Sequence, residues 1–166
     1  MSDSIIKLLQ NVKENEPLAP YTTFQIGGPA RYFFAAKSAD DMVRAVRVAV
    51  ESGVRFFVLA GGSNILVSDK GFDGLVILNE IKEFHAELKD GRALVTVGAG
   101  ESWDEIVARC VSEDWAGLEC LSGIPGKVGS APVQNIGAYG QSVSDVVESV
   151  ETVDSVSGER VVFNRA

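Results

Sequence analysis

Ser-Gly-Ile-Pro-Gly-Lys-Val-Gly-Ser-Ala-Pro-Val-Gln-Asn-Ile-Gly-Ala-Tyr-Gly, residues 122–140, holds five glycines, two prolines and a single charged side chain, Lys127. So little bulk and charge makes the backbone itself the working surface. Glycine lets the main chain approach a ligand closely and turn through positive φ, so that successive amides can converge on an anion such as a pyrophosphate. Gly123, Gly126 and Gly129 recur every third residue, Pro125 stiffens the turn, and Ser130 follows. Gln134 and Asn135 can donate to and accept from a heterocycle edge. Tyr139 is either a ligand-lining side chain or a core tyrosine with a satisfied hydroxyl.

A second glycine-rich stretch, Gly61-Gly62-Ser63-Asn64, follows a predicted buried strand over residues 55–60, a usual place for a ligand loop in α/β layers. An ordinary strand-exit turn is the competing reading of those four residues. Upstream, residues 22–36 read as a strand after a turn at Gly27-Gly28-Pro29. Ser38-Ala39-Asp40-Asp41 has the form of a capping box, opening a helix to Glu51 that Gly53 stops. A β-α-β unit results, with Met42, Val43, Val46, Ala49 and Val50 on the apolar face of its helix.

Residues 75–78, 83–88 and 93–97 read as strands, the last two joined by an Asp90-Gly91 hairpin turn. Ser102-Trp103-Asp104-Glu105 has the form of a second capping box, before a helix whose Ile106, Val107, Cys110 and Val111 are expected to face a sheet. Residues 149–156 and 159–163 are strand-like runs flanking a turn at Ser157-Gly158. This predicts two lobes, residues 1–66 with an N-terminal helix and residues 67–166.

Composition removes several classes of function. A net charge of −8 without a basic stripe disfavours nucleic acid. The longest apolar runs fall far short of the roughly twenty residues that span a bilayer, and residues 1–11 lack a signal-peptide layout. A cytoplasmic protein is expected. Cys110, Cys120 and the single His85 fit no metal or redox spacing, so no metal site or disulfide is expected. Gly98-Ala99-Gly100 fails the Rossmann fingerprint because Trp103 occupies the third glycine position. Gly126-Lys127 fails Walker A because Val128 replaces the Ser or Thr and Leu121 the first glycine. No nucleophile acquires a partnered base, and the acidic pairs Asp40-Asp41 and Asp104-Glu105 fall in first helical turns, where they complement the dipole.

Four segments together resemble a known family: residues 22–30, residues 59–66, Gly98-Ala99-Gly100, and residues 117–140. Their order and spacing are similar to those of the FAD-dependent UDP-N-acetylenolpyruvoylglucosamine reductases. Residues 130–140 look like the form in the branch related to the enterobacterial enzyme.

The resemblance implies an α+β, two-lobed FAD-binding domain of the vanillyl-alcohol-oxidase (p-cresol methylhydroxylase) type. It implies that Leu59, Gly61, Gly62, Ser63, Asn64, Ile65 and Leu66, with Gly123, Ile124, Pro125, Gly126, Val128, Gly129 and Ser130, hold the pyrophosphate and ribityl chain. Gln134, Asn135, Gly137 and Tyr139 would approach the flavin. In the family NADPH reduces FAD, which passes the hydride to the enolpyruvyl group of a UDP-sugar in peptidoglycan synthesis.

The family's Tyr-Arg motif, protonating serine and late glutamate have no counterparts in residues 1–166. No catalytic residue is therefore assigned, and the chain is expected to be an inactive FAD-binding portion lacking a substrate domain. Its second lobe is expected to be incomplete, leaving residues 159–163 as an exposed edge that favours self-association. Another flavin oxidase or reductase of the same fold, or a non-catalytic cofactor-binding module, are the alternatives.

Overall fold

The structure is a computed structural model that describes residues 3–165; Met1, Ser2 and Ala166 lie outside the described residues. The N-terminal helix α1 (Asp3–Leu8) leads to strand β1 (Lys13–Pro17), followed by β2 (Pro29–Ala36), helix α2 (Ala39–Glu51), β3 (Phe56–Leu59) and β4 (Phe72–Asn79). These strands form a mixed sheet in the order β1-β2-β4-β3. β1 runs antiparallel to β2, whereas β2, β4 and β3 are mutually parallel along their shared ladders.

The expected β-α-β unit forms, but its strands are not neighbours, because β4 inserts between β2 and β3. Sequence pattern placed this strand in the second lobe. Leu75, Val76 and Ile77 are almost wholly buried, as a strand covered on both faces must be, and the continuous apolar run therefore takes the central position. β3 was expected to be buried, yet Phe57 and Val58 are each 41% exposed, since β3 lies at the sheet edge.

Helix α2 begins where Ser38 Oγ accepts the Asp41 amide at 3.1 Å. The reciprocal arm of the predicted box lands one residue early: Asp41 Oδ2 accepts from the Lys37 amide, not from Ser38. The helix ends at Gly53, whose φ of +64° an L side chain rarely adopts. Met42, Ala45, Val46, Val48 and Ala49 are buried against β2, β4 and α1, while Val50 points outward. Full burial of each larger aliphatic side chain contributes about 1.5–3 kcal/mol. The opposite sheet face carries Leu18, Ala30, Phe33, Leu59 and Val76.

Beyond β4 come the hairpin β5 (Phe84–Lys89) and β6 (Arg92–Val97), helix α3 (Trp103–Ser112), and a helical turn α4 (Ala131–Gln134). Two short strands, β7 (Gly137–Ala138) and β8 (Gln141–Ser142), precede the hairpin β9 (Ser149–Val153) and β10 (Arg160–Asn164). Asp90 and Gly91 both take positive φ, as the predicted tight hairpin turn requires.

Helix α3 departs from expectation. Ser102 makes no side-chain cap, Val111 is exposed, and Trp103 and Val107 pack on Leu121, Ala131 and Val143 of the glycine-rich region instead of on a sheet. Arg109 reaches strand β5, its guanidinium 3.4 Å from the Phe84 ring centroid. The β9–β10 hairpin docks on α2, where Arg47 Nε donates to the Gly158 carbonyl at 3.2 Å.

Candidate functional site

Parallel strands β3 and β4 end side by side, and the chain leaving β3 enters residues 61–66. Ligands in open parallel sheets gather outside such carboxyl ends. A groove of about 330 Å³ lies there, walled by Tyr21, Thr22 and Thr23 on one side, by Asn79, Glu80 and Lys82 on another, and by Gly61, Gly100 and Lys127.

The two glycine-rich segments meet at this groove. A Cβ built on Gly61 would lie 3.2 Å from Gly126 Cα and 3.4 Å from Lys127 Cγ. Gly62 has φ +64°, and a Cβ there would collide with the Tyr21 carbonyl oxygen. The Gly62 carbonyl accepts from the Thr23 amide at 3.1 Å, closing the same wall. Ser63 Oγ donates to the Pro125 carbonyl at 3.4 Å, and Asn64 Nδ2 to Gln134 Oε1 at 3.4 Å.

Backbone hydrogen bonding decides which amides can serve a ligand. Among the described residues no protein acceptor meets the amides of Gly61, Gly62, Ser63, Asn64, Gly126 and Lys127. These donors belong to the two segments that meet at the groove, and backbone donors left unpaired in such loops suit a phosphate anion. By contrast the amides of Val128, Gly129 and Ser130 are consumed by the carbonyls of Glu101, Ala99 and Lys127. Gly129 is required by packing, because a Cβ would sit 2.7 Å from that of Ala99.

Other predicted site residues scatter around this centre. Leu59 is 2% exposed and belongs to the core, Ile65 packs beside it, and Leu66 is exposed. Ile124 packs on the Trp103 cluster. Asn135, at a left-handed φ of 42°, turns its Oδ1 to the Ser144 amide at 3.3 Å. Gly137 pairs with Ser142, and Tyr139 stands 92% exposed at the hairpin tip, which excludes the core-tyrosine reading.

Sequence pattern missed Tyr21, Thr22, Thr23 and Lys127 as groove residues; Asp104 stands in the first turn of α3 as expected, but its second role was missed. The Asp104 carboxylate accepts from the Gly123 amide at 2.6 Å and from Ser122 Oγ at 3.0 Å, anchoring the start of the glycine-rich loop. The Gly123 amide, then the Ser122 hydroxyl, hold its pKa below the ordinary carboxylate value. The loop's far side is tied through Glu119, which accepts from Gly117 N and Gln141 Nε2, while Gln141 Oε1 accepts from Cys120 N. These polar pins are invisible to periodicity because their partners lie up to 22 residues apart.

Residues 30–164 match the FAD binding domain family, a span that contains both glycine-rich loops. The chain belongs to the FAD-binding domain family. It is 49% identical over 142 residues to the UDP-N-acetylenolpyruvoylglucosamine reductase of Salinispora arenicola, covering 85% of this chain and 39% of that protein. The reductase of the same name from Thermus caldophilus superposes with a TM-score of 0.70 at 28% identity, covering 93% of this chain and 52% of that one. p-Cresol methylhydroxylase, at 16% identity and a TM-score of 0.65, shares the fold over 96% of this chain and 34% of that one. The α+β fold of the p-cresol methylhydroxylase type is thereby established. The chain spans about two fifths of the length of the curated relatives it matches.

The amides without protein acceptors on the two segments suit the polarity of an FAD pyrophosphate. Among the described residues no three His, Cys, Asp or Glu side chains gather to hold a metal ion, and no helix is long and apolar enough to cross a membrane.

Proposed function

We propose that the chain is the FAD-holding portion of an NADPH-dependent reductase that converts UDP-N-acetylglucosamine enolpyruvate to UDP-N-acetylmuramate for peptidoglycan in the cytoplasm. The observation that carries this reading is the meeting of two segments at the carboxyl ends of β3 and β4, residues 61–64 and Gly126-Lys127, whose amides have no protein acceptor among the described residues. The names of the curated relatives support the substrate and the reaction. When bound, FAD supplies hydride transfer between a nicotinamide donor and an enolpyruvyl double bond.

The chain's own residues bind and orient. Amides of Gly61, Gly62, Ser63 and Asn64 face the pyrophosphate from the first lobe, and those of Gly126 and Lys127 from the second. Gln134, Asn135 and Tyr139 border the flavin end. Val128, Gly129 and Ser130 act by bracing the loop rather than by donating to the anion. The first lobe extends through Asn79, because β4 is its central strand, and the second begins at Glu80. On this reading residues 1–166 hold the cofactor without completing turnover. The open side of β10, with Val162 and Phe163 exposed, self-associates at high concentration.

Titration of the 166-residue chain with FAD tests the reading. A saturable shift in flavin absorbance at one equivalent is expected, and its absence overturns the cofactor role.

A further inference from the structure

Lys127 is the one cationic side chain of the groove that forms no ion pair among the described residues. The neighbouring Lys82 is neutralised by Glu101, with Nζ 2.9 Å from Oε2. Glu80 adds a carboxylate to the same groove wall. Lys127 itself arises from the second lobe, yet its Cγ reaches within 3.4 Å of the Cβ position of Gly61 in the first. Its backbone is fixed on either side, by the Gly126 carbonyl accepting from Trp103 N at 3.1 Å and by Val128 N donating to Glu101 O at 3.0 Å. The side chain is thus held at the junction of the two loops whose amides lack acceptors.

Electrostatics gives this placement a purpose. The chain carries a net charge of −8, and a dinucleotide diphosphate approaching it meets long-range repulsion as well as Glu80 at close range. Backbone amides offer partial charges only; an ammonium supplies a full one, and an unpaired ammonium releases no internal partner when the anion arrives. Lys127 also stands outside any Walker motif, since the following Val128 offers no hydroxyl for magnesium.

We infer that Lys127 is the diphosphate counterion of this groove, a binding residue that sets cofactor affinity by clamping the anion across the junction of the two loops. This rests on the proposed FAD role of the chain.

The test compares wild type, Lys127→Met and Lys127→Arg by FAD titration at several salt concentrations, with thermal melting of each unliganded chain. Methionine keeps an unbranched stem and loses the charge. The expected result is about a tenfold or greater rise in Kd for Lys127→Met, a shallower dependence of Kd on salt, and near-recovery in Lys127→Arg, with closely similar unliganded melting. If wild type binds FAD while Lys127→Met shows the same Kd and salt dependence, the inference fails and the cofactor reading survives. Failure of wild type to bind FAD overturns both. Should Lys127→Met melt early, a Lys127→Arg variant of normal affinity and salt dependence sustains the charge role, and one as weak as Lys127→Met overturns it.

Discussion

The side-chain amide of Asn64 donates to Gln134 Oε1 at 3.4 Å, joining two loops that stand 70 residues apart in the chain. With the Ser63 hydroxyl on the Pro125 carbonyl, it aligns the exit of β3 with the glycine-rich segment through neutral contacts only. Such contacts each contribute about 0.5–1.5 kcal/mol. The junction is therefore shaped chiefly by the glycines that let its two backbones approach.

Gly62→Ala is expected to destabilise the chain. The residue's φ of +64° and the collision of a new Cβ with the Tyr21 carbonyl act together. A left-handed L residue costs about 1–2 kcal/mol before the clash is counted. A total of about 2–3 kcal/mol lowers Tm by about 4–12 °C in a chain of this size, measurable by calorimetry. An unchanged Tm would show that the Tyr21 wall moves freely.

Gly61→Val separates binding from folding. Its Cβ would lie nearest to Gly126 Cα and carbonyl carbon, at 3.2 and 3.4 Å, and to Lys127 Cγ at 3.4 Å, so the loops must part slightly. Stability is expected to change by no more than about 1 kcal/mol, while FAD affinity falls by about tenfold or more as branched methyl groups enter the anion's space. Parallel melting and flavin titration check both halves, and full retention of affinity contradicts the placement of the cofactor.

Stability should respond to acid through Asp104. The Gly123 amide and the Ser122 hydroxyl lower its pKa in the folded chain from an ordinary value of 3.8. A depressed carboxylate contributes stability that is fully present above the unfolded pKa and is lost as pH falls through the folded one. Melting followed from pH 6 to pH 2.5 should show Asp104→Asn losing less stability with acid than wild type. Identical acid profiles would remove Asp104 as a pin of the loop.

Association through β10 should grow with concentration. Val162 and Phe163 are 55% and 62% exposed on a strand that pairs only with β9 among the described residues. Sedimentation velocity is expected to show larger species as concentration rises, and Val162→Lys to suppress them, because an edge lysine opposes strand pairing. Concentration-independent monomers of wild type would refute self-association, and association undiminished by Val162→Lys would place the contact elsewhere.

Much of the local architecture was legible because its causes are local. Ser38 caps α2, Gly53 ends it, and Asp90-Gly91 turns β5 into β6, each through φ preference or a hydrogen bond within a few residues. The candidate site was legible as two segments, since glycine-rich runs are conspicuous and the structure brings both to the groove. Which of their amides stay unpaired was not legible. Val128, Gly129 and Ser130 resemble Gly61 and Gly62 in composition, yet their amides are taken up by Glu101, Ala99 and Lys127. Lys127 looked like a failed Walker lysine, and Asp104 like a helix-dipole acid alone, because the groove that Lys127 lines and the Gly123 amide from which Asp104 accepts are built from other parts of the chain.

Residue chemistry by itself determined that this chain has glycine-built loops able to bring bare backbone to an anion, and that Rossmann and Walker geometries are absent. Tertiary structure decided the rest: that β4 and not β3 is central, that residues 61–64 meet Gly126 and Lys127, and which amides stay unpaired there. The physical reason is range. Turn and cap preferences are settled over three or four residues, whereas strand order and the pairing of an amide depend on what long-range burial brings beside it.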